Sequence, residues 1–282
     1  MKPPGMTSHD VIGFLRKALQ TKKIGHGGTL DPDAAGVLPV FSGSATRLLS
    51  YAMDGRKQYI AEFTLGEQRD TGDDSGEIVK TMPVPSISEA RLREVLQGFL
   101  GKQMQLPPMY SAIKINGQKL YELARKGLEV DREARSIEIY KLELLAFDKE
   151  KFTVSVECSK GTYIRVLGED IASALGTCGT MSFLLRTQVG CYLLNEAHTL
   201  QEIAQNPEAC CAEPISAVTH LPKLRLSANQ AARITNGVKT TVKGTADGQY
   251  VLLGPAAEFL GIGRCNESQI QAEKIFQHYL NS

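Results

Sequence analysis

The stretch from Lys23 to Gly36 constrains the fold of this chain more than any other. It holds four glycines, one histidine (His26) and two carboxylates (Asp31 and Asp33). A run so rich in glycine is poorly suited to a helix or strand interior, because glycine loses the most backbone freedom on ordering and readily takes positive φ. It therefore reads as a loop, with the apolar segment Val37-Leu38-Pro39-Val40 close behind it. Residue chemistry leaves two readings open. A carboxylate in a loop whose backbone can approach a ligand can act as nucleophile or general base. Asp31 as an N-cap, with Pro32 at the first helical position, can equally start an ordinary helix.

The rest of the chain narrows the class. Its 282 residues are enough for one large domain and a smaller one, and 42% hydrophobic with 22% charged residues is ordinary for a globular protein. No apolar run approaches the length of a membrane span. The opening Met1-Lys2-Pro3-Pro4-Gly5 has no apolar stretch of the signal-peptide kind. Six cysteines (158, 178, 191, 210, 211 and 265) form no C-x-x-C pair. Reduced thiols in the cytoplasm are expected, with no structural zinc and no disulfide framework.

The formal net charge of +1 excludes a global field for polyanions. Positive charge is local instead: Arg16, Lys17, Lys22 and Lys23 precede the glycine loop, and Lys114, Lys119, Arg125, Lys126, Arg132 and Arg135 form a second group. Both suit phosphate contacts, though each alone also fits a solvated face.

Element signals surround the loop. Ser8 as N-cap, with Val11, Phe14, Leu15, Ala18 and Leu19 at helical spacing, predicts a helix to about Gln20. Tyr59–Leu65 reads as a strand, followed by a polar turn over 68–76. The acidic residues of that turn lack the spacing of a calcium loop. Ser86 and Glu89 have capping-box spacing ahead of Leu92, Val95, Leu96 and Phe99, with Gly101 closing the helix. Asn116-Gly117 predicts a tight turn, and Leu120 to Lys126 a short helix stopped by Gly127, on which Tyr121 is interleaved with basic residues. Phe152–Cys158 alternates as a half-buried strand. Helical spacing resumes at Val166, Ile171 and Leu175, ending at Gly176 and placing Arg165 near a helix start. Beyond Pro222, short apolar runs separated by Gly, Pro and Asn predict a small β-rich domain.

Familiar motifs are absent. The glycine loop lacks the Gly-Lys-Ser/Thr of a Walker loop and is not a dinucleotide fingerprint. There is no G-x-S-x-G elbow, and the five histidines (9, 26, 198, 220 and 278) have no metal-binding spacing. A site here would be cofactor-free and built on carboxylate chemistry.

At this point a resemblance enters. Gly25-His26-Gly27-Gly28-Thr29-Leu30-Asp31-Pro32-Asp33-Ala34-Ala35-Gly36 closely resembles the catalytic motif of TruB-type tRNA pseudouridine synthases, which modify uridine 55 of the T loop. Lys2-Pro3-Pro4-Gly5-Met6-Thr7-Ser8 is similar to the family's opening motif, Lys57-Gln58-Tyr59 to its tyrosine motif, and Asp70-Thr71-Gly72-Asp73 follows at the expected distance. Pro107–Ala112 and Gly117–Arg125 resemble an RNA-gripping insertion of about residues 105–130. Cys158-Ser159-Lys160-Gly161-Thr162-Tyr163-Ile164-Arg165 resembles the arginine motif. The matched set runs from residue 2 to about 190, and the last sixty residues are more loosely similar to a bacterial PUA domain. Two departures stand out. The chain opens inside the first motif, so the strand that normally precedes it is missing or belongs to an extension. Gly27 also replaces a frequent threonine after His26.

The resemblance implies an α+β fold. Its central sheet would be mixed and largely antiparallel, flanked by helices, in a catalytic domain over 1–222; a PUA-like RNA-binding domain would follow over 223–282. It implies an isomerase that detaches, rotates and rejoins the base of a flipped-out uridine, with no cofactor or metal. Asp31 would be the nucleophile, attacking the ribose C1′ or the uracil C6, or otherwise promoting glycosidic cleavage. Arg165 would pair with it and keep it ionised. Tyr59 would stack on the uracil and handle a proton at the sugar. Leu184 would wall the uracil pocket, His26 would fill space left by displaced bases, and Tyr163 and Lys2 would help bind substrate. The implied partner is the T-arm stem-loop of tRNA, with no membrane and no obligatory protein partner, the chain acting as a monomer. Two other readings compete: a non-catalytic RNA-binding or chaperone protein, and a nucleoside glycosidase. The latter needs a second, well-separated acid, and Asp33 is too near Asp31 in sequence to be persuasive.

Overall fold

A computed structural model describes residues 1–52, 55–115 and 117–276. Contacts group these residues into two compact units, one comprising the described residues of 1–14, 28–39 and 53–201, the other those of 15–27, 40–52 and 202–282.

The first unit is built on a seven-stranded sheet. Six strands run antiparallel to their neighbours in the order Tyr192–Leu193, Gly179–Val189, Lys57–Leu65, Lys151–Cys158, Arg135–Asp148, Gly101–Gln105. The short Ala35–Gly36 strand joins Gly179–Val189 in parallel. Alternation explains the central strands: Phe152, Val154, Val156 and Cys158 are buried on one face while the residues between them are partly exposed. Tyr59, Ala61, Phe63 and Leu65 repeat the pattern on the neighbouring strand. Helices Glu89–Gln97 and Ile164–Ala174 cover this core with Leu92, Val95 and Leu96 and with Leu167, Ile171 and Ala172. Each such side chain contributes roughly 1.5–3 kcal/mol on burial. Gly168 lets the second helix lie close to the sheet, since a Cβ there would come 2.0 Å from the Phe63 ring.

The second unit contains a five-stranded sheet in the order Lys223–Arg225, Gly248–Leu253, Phe259–Asn266, Gln269–Ile275, Thr240–Thr241, with only the first pair parallel. Helix Ala228–Thr235, held by a capping box of Ser227 and Gln230, packs its Ala231 and Ile234 into a core with Leu226, Leu252, Leu260 and Ile270. The α+β class, the mostly antiparallel central sheet and the β-rich C-terminal region are as expected.

Several boundaries differ from the expected ones. Ser8 is the first residue of helix Ser8–Ala18, not its cap. Thr7 and Asp10 form the reciprocal cap, Thr7 Oγ1 accepting from the Asp10 N–H and the Asp10 carboxylate from the Thr7 N–H. The cap of Glu89–Gln97 is Ser88, which accepts from the Arg91 N–H, not Ser86, and the helix closes at Gly98 rather than Gly101. The short helix ends at Ala124, two residues early. Asp31 starts no helix: residues 31–34 are irregular, with one turn bond from the Ala34 N–H to the Asp31 carbonyl. Asn116 lies outside the described residues, and the strands on either side of it, Lys114–Ile115 and Gln118–Lys119, pair antiparallel.

Candidate active site

The loop bearing Asp31 is anchored on both sides. Upstream, Leu30 is buried and both its backbone groups bond the hydroxyl of Ser8. Downstream, Gly36 exchanges two backbone hydrogen bonds with Lys2, of 2.8 and 3.0 Å, and the Val37 N–H donates to the Arg186 carbonyl at 2.9 Å. Gly36 has φ +116°, and a Cβ there would sit 2.2 Å from the Arg186 carbonyl oxygen. Only glycine permits this approach, which brings the loop against the Gly179–Val189 strand.

The carboxylate of Asp31 meets the guanidinium of Arg165 side-on, Nε to Oδ2 at 3.1 Å and Nη2 to Oδ1 at 3.4 Å. Arg165 is the second residue of helix Ile164–Ala174. The start of that helix is fixed by Gln105, whose amide accepts from the Tyr163 N–H and donates to the Tyr163 carbonyl. Further donors of the guanidinium reach the Thr71 carbonyl at 2.6 Å and the Tyr110 carbonyl at 2.8 Å, and Asp73 stands 3.8 Å away. The Arg165 side chain is 5% exposed, that of Asp31 35%. A cation thus saturated with acceptors cannot swing away, and its carboxylate partner keeps an open side. Burial pushes the Asp31 carboxyl above the usual carboxylate range; Arg165 and Lys2 oppose that push and the like charge of Asp73 adds to it.

Lys2 is fully buried, and its ammonium donates to the carbonyls of Pro3, Met6 and Pro32 at 2.8, 2.5 and 2.6 Å. Three donors meet three acceptors, so Lys2 fastens the chain on either side of Asp31. Burial lowers its pKa to about 8, with Asp33 and Asp31 pulling upward. Tyr59 is buried on the Lys57–Leu65 strand, and burial pushes its phenol up to about 12, so it is neutral near pH 7. Leu184 is buried on the Gly179–Val189 strand opposite Ala61. Tyr163 sits half-buried at the N-cap of the Arg165 helix. His26 ends the Ile24–His26 strand, which pairs with Val40–Ser42 within the second unit.

Three participants have no role assigned from the sequence. Gln105 sets the helix start, Asp73 faces Arg165, and Arg186 holds the loop with Nε on the Val37 carbonyl at 2.8 Å and Nη2 on the Gly28 carbonyl at 3.0 Å. The only available signal for Arg186 was its position two residues beyond Leu184, on the same face of a strand. Chemically the site offers an aimed anionic oxygen pair, a fixed cation and a neutral buried phenol. Among the described residues, no three His, Cys, Asp or Glu side chains cluster as metal ligands, and no helix is long and apolar enough to cross a membrane.

Two family models match the chain: the N-terminal domain of TruB family pseudouridylate synthases over residues 16–164, and the C-terminal domain of tRNA pseudouridylate synthase B over 165–214. The tRNA pseudouridine synthase B of Alkaliphilus oremlandii is 44% identical over 271 residues, covering 93% of this chain and 90% of that protein. That of Caldanaerobacter subterraneus subsp. tengcongensis is 43% identical over 279 residues, covering 98% and 97%. Among solved structures, a Cbf5-Nop10-Gar1 complex aligns with 100% of this chain and 85% of its own at TM-score 0.74 and 25% identity. An H/ACA ribonucleoprotein bound to a substrate RNA containing 2′-deoxyuridine aligns at TM-score 0.72 and 26% identity, covering 98% and 83%.

Proposed function

The chain belongs to the TruB family of pseudouridylate synthases, and on that premise we propose that it converts uridine 55 in the T loop of tRNA to pseudouridine, with Asp31 as nucleophile. The enzyme is a pseudouridine synthase, hence an isomerase, and its relatives named tRNA pseudouridine synthase B support a tRNA substrate. The single observation carrying the choice of nucleophile is the Asp31–Arg165 pair: a partly open carboxylate on a buried guanidinium at 3.1 Å.

The reaction breaks the bond from C1′ to N1 and forms one from C1′ to C5. N1 gains a proton and C5 loses one, so no electrons enter or leave. Asp31, held ionised by Arg165, attacks C1′ or C6 or otherwise promotes cleavage of the first bond. Tyr59 stacks on the uracil and handles a proton at the sugar, as a neutral phenol. Leu184 supplies an apolar wall, Tyr163 helps hold the substrate, Lys2 serves it indirectly by fastening the Asp31 loop through the carbonyls of Pro3, Met6 and Pro32, and His26 fills space left by displaced bases. Extruding the base costs a few kcal/mol, and stacking on an aromatic ring returns about 1–3 kcal/mol. The basic residues around the 114–135 segment grip the stem-loop through phosphates. Residues 1–222 form the catalytic domain, and 223–282 serve as a PUA-like module touching RNA outside the T arm. The protein works as a cytoplasmic monomer, without a protein partner.

The test is incubation of the purified chain with a T-arm stem-loop, followed by pseudouridine mapping at single-nucleotide resolution. Conversion is expected at the position of uridine 55. Release of free uracil would instead support a glycosidase, and binding with unchanged base identity a non-catalytic RNA-binding protein.

A further inference from the structure

Arg186 is wholly buried, although a cation is costly to bury and an apolar side chain of similar volume is often the more stable choice. Its guanidinium faces carbonyls and a phenol. Nη2 and Nη1 donate to the carbonyls of Gly28 and Thr29 at 3.0 and 3.4 Å, and Nε donates to the Val37 carbonyl at 2.8 Å. One side chain therefore pins both ends of the 28–37 segment, with Asp31 between the pinned points. On the neighbouring strand Tyr59 is the direct cross-strand partner of Arg186, which sets phenol and guanidinium side by side on one face of the sheet.

We propose that Arg186 is a positioning residue for the isomerisation: it ties the loop that presents Asp31 and the phenol of Tyr59 to one rigid frame. The proposal rests on the functional reading above and adds to it a residue that touches no reacting atom. The planar fork explains the residue type. Only arginine offers donors in a fixed array wide enough for three carbonyls beside a phenol, whereas lysine is a point charge that cannot reproduce the array. Burial also keeps the phenol neutral, so its O–H stays available beside the guanidinium. Were Arg186 only a structural fastener for the loop, Tyr59 would be indifferent to it.

The full-length Arg186→Lys variant tests this on the T-arm stem-loop. A misplacement of about 1 Å at a reacting group costs on the order of a hundredfold, so kcat should fall about that much with KM changed by less than about threefold. The Tyr59→Phe, Arg186→Lys double variant should lose less than the product of the two single losses. The 13Cζ signal of Tyr59, identified by its disappearance in Tyr59→Phe, should move in Arg186→Lys. If the lysine variant does not fold, the arginine Nε–H signal of Arg186 compared between wild type and Tyr59→Phe carries the same information, and it should shift. Wild-type kcat in Arg186→Lys, fully multiplicative losses, or tyrosine and arginine signals that ignore each other's substitution would each overturn the proposal while leaving the functional reading intact. A wild-type protein that makes no pseudouridine would remove both.

Discussion

Around the seven-stranded sheet the side chains of Lys2, Arg165 and Arg186 are 0, 5 and 0% exposed, yet carry charge. Around the five-stranded sheet of residues 223–275, Thr240 is the one buried polar side chain among the described residues, and charge stays near solvent, as in the Arg264–Glu273 pair at 48 and 23% exposure. Both regions have ordinary apolar cores, so the difference is not one of packing. Effective desolvation costs several kcal/mol per buried ion. One region tolerates that cost three times within reach of a single loop; the other does not incur it. The buried cations converge on the Gly28–Val37 segment and on Asp31, which is where fixed electrostatics serve chemistry. The five-stranded sheet is organised as a stable surface instead.

Four changes would break or sharpen this contrast. The largest effect belongs to Arg165→Met, which strips Asp31 of its cation and leaves the Thr71 and Tyr110 carbonyls without their donor. Turnover should fall by at least about a thousandfold, read in single-turnover assays on the stem-loop; a loss under about tenfold would show that the buried cation is structural only. Next comes Gly36→Ala, which places a methyl against the Arg186 backbone at positive φ. Chemical denaturation should show about 2–3 kcal/mol of lost stability, and an unchanged midpoint would mean the loop is not seated there. The third is the pH profile. Burial raises the Asp31 pKa, so the protonated, inactive form persists to higher pH than for an ordinary aspartate. The acid limb of kcat/KM should therefore lie above about pH 4, with activity rising as pH climbs through it; a profile flat down to that value would contradict the burial. The smallest effect is expected in the other region. Arg264→Ala removes a solvent-screened pair and should change stability by less than about 1 kcal/mol, so a larger loss would erase the contrast.

Much of the scaffold was legible because it follows from periodicity. The strand at Phe152–Cys158, the face of Leu92, Val95 and Leu96, and the β texture after Pro222 all come from alternation or helical spacing. Caps were less legible. Ser8 and Thr7 are both good N-cap residues, and the choice fell to Thr7 because the Ser8 hydroxyl is taken by the backbone of Leu30. Ser86 offered a glutamate at the right spacing, yet Ser88 won by bonding the Arg91 N–H. The strands Arg135–Asp148 and Gly179–Val189 gave no clear signal. The first breaks its alternation at register shifts after Ile139 and Leu144, and the second mixes buried Thr180 and Arg186 with apolar residues. The site itself was half legible. A glycine-rich loop with Asp31, and Arg165 near a helix start, could be picked out by residue type and resemblance. Arg186 could not, because its partners are backbone carbonyls and a cross-strand phenol, which leave no mark on local sequence.

The central claim is that one carboxylate does the chemistry while the rest of the site holds it in place. Asp31→Asn keeps the shape and removes only the charge, so it is the direct measurement, with pseudouridine formation and stem-loop affinity followed side by side. Affinity should stay within about threefold of wild type and turnover should fall by at least about a thousandfold. Asp31→Asn turnover within about tenfold of wild type would contradict the claim.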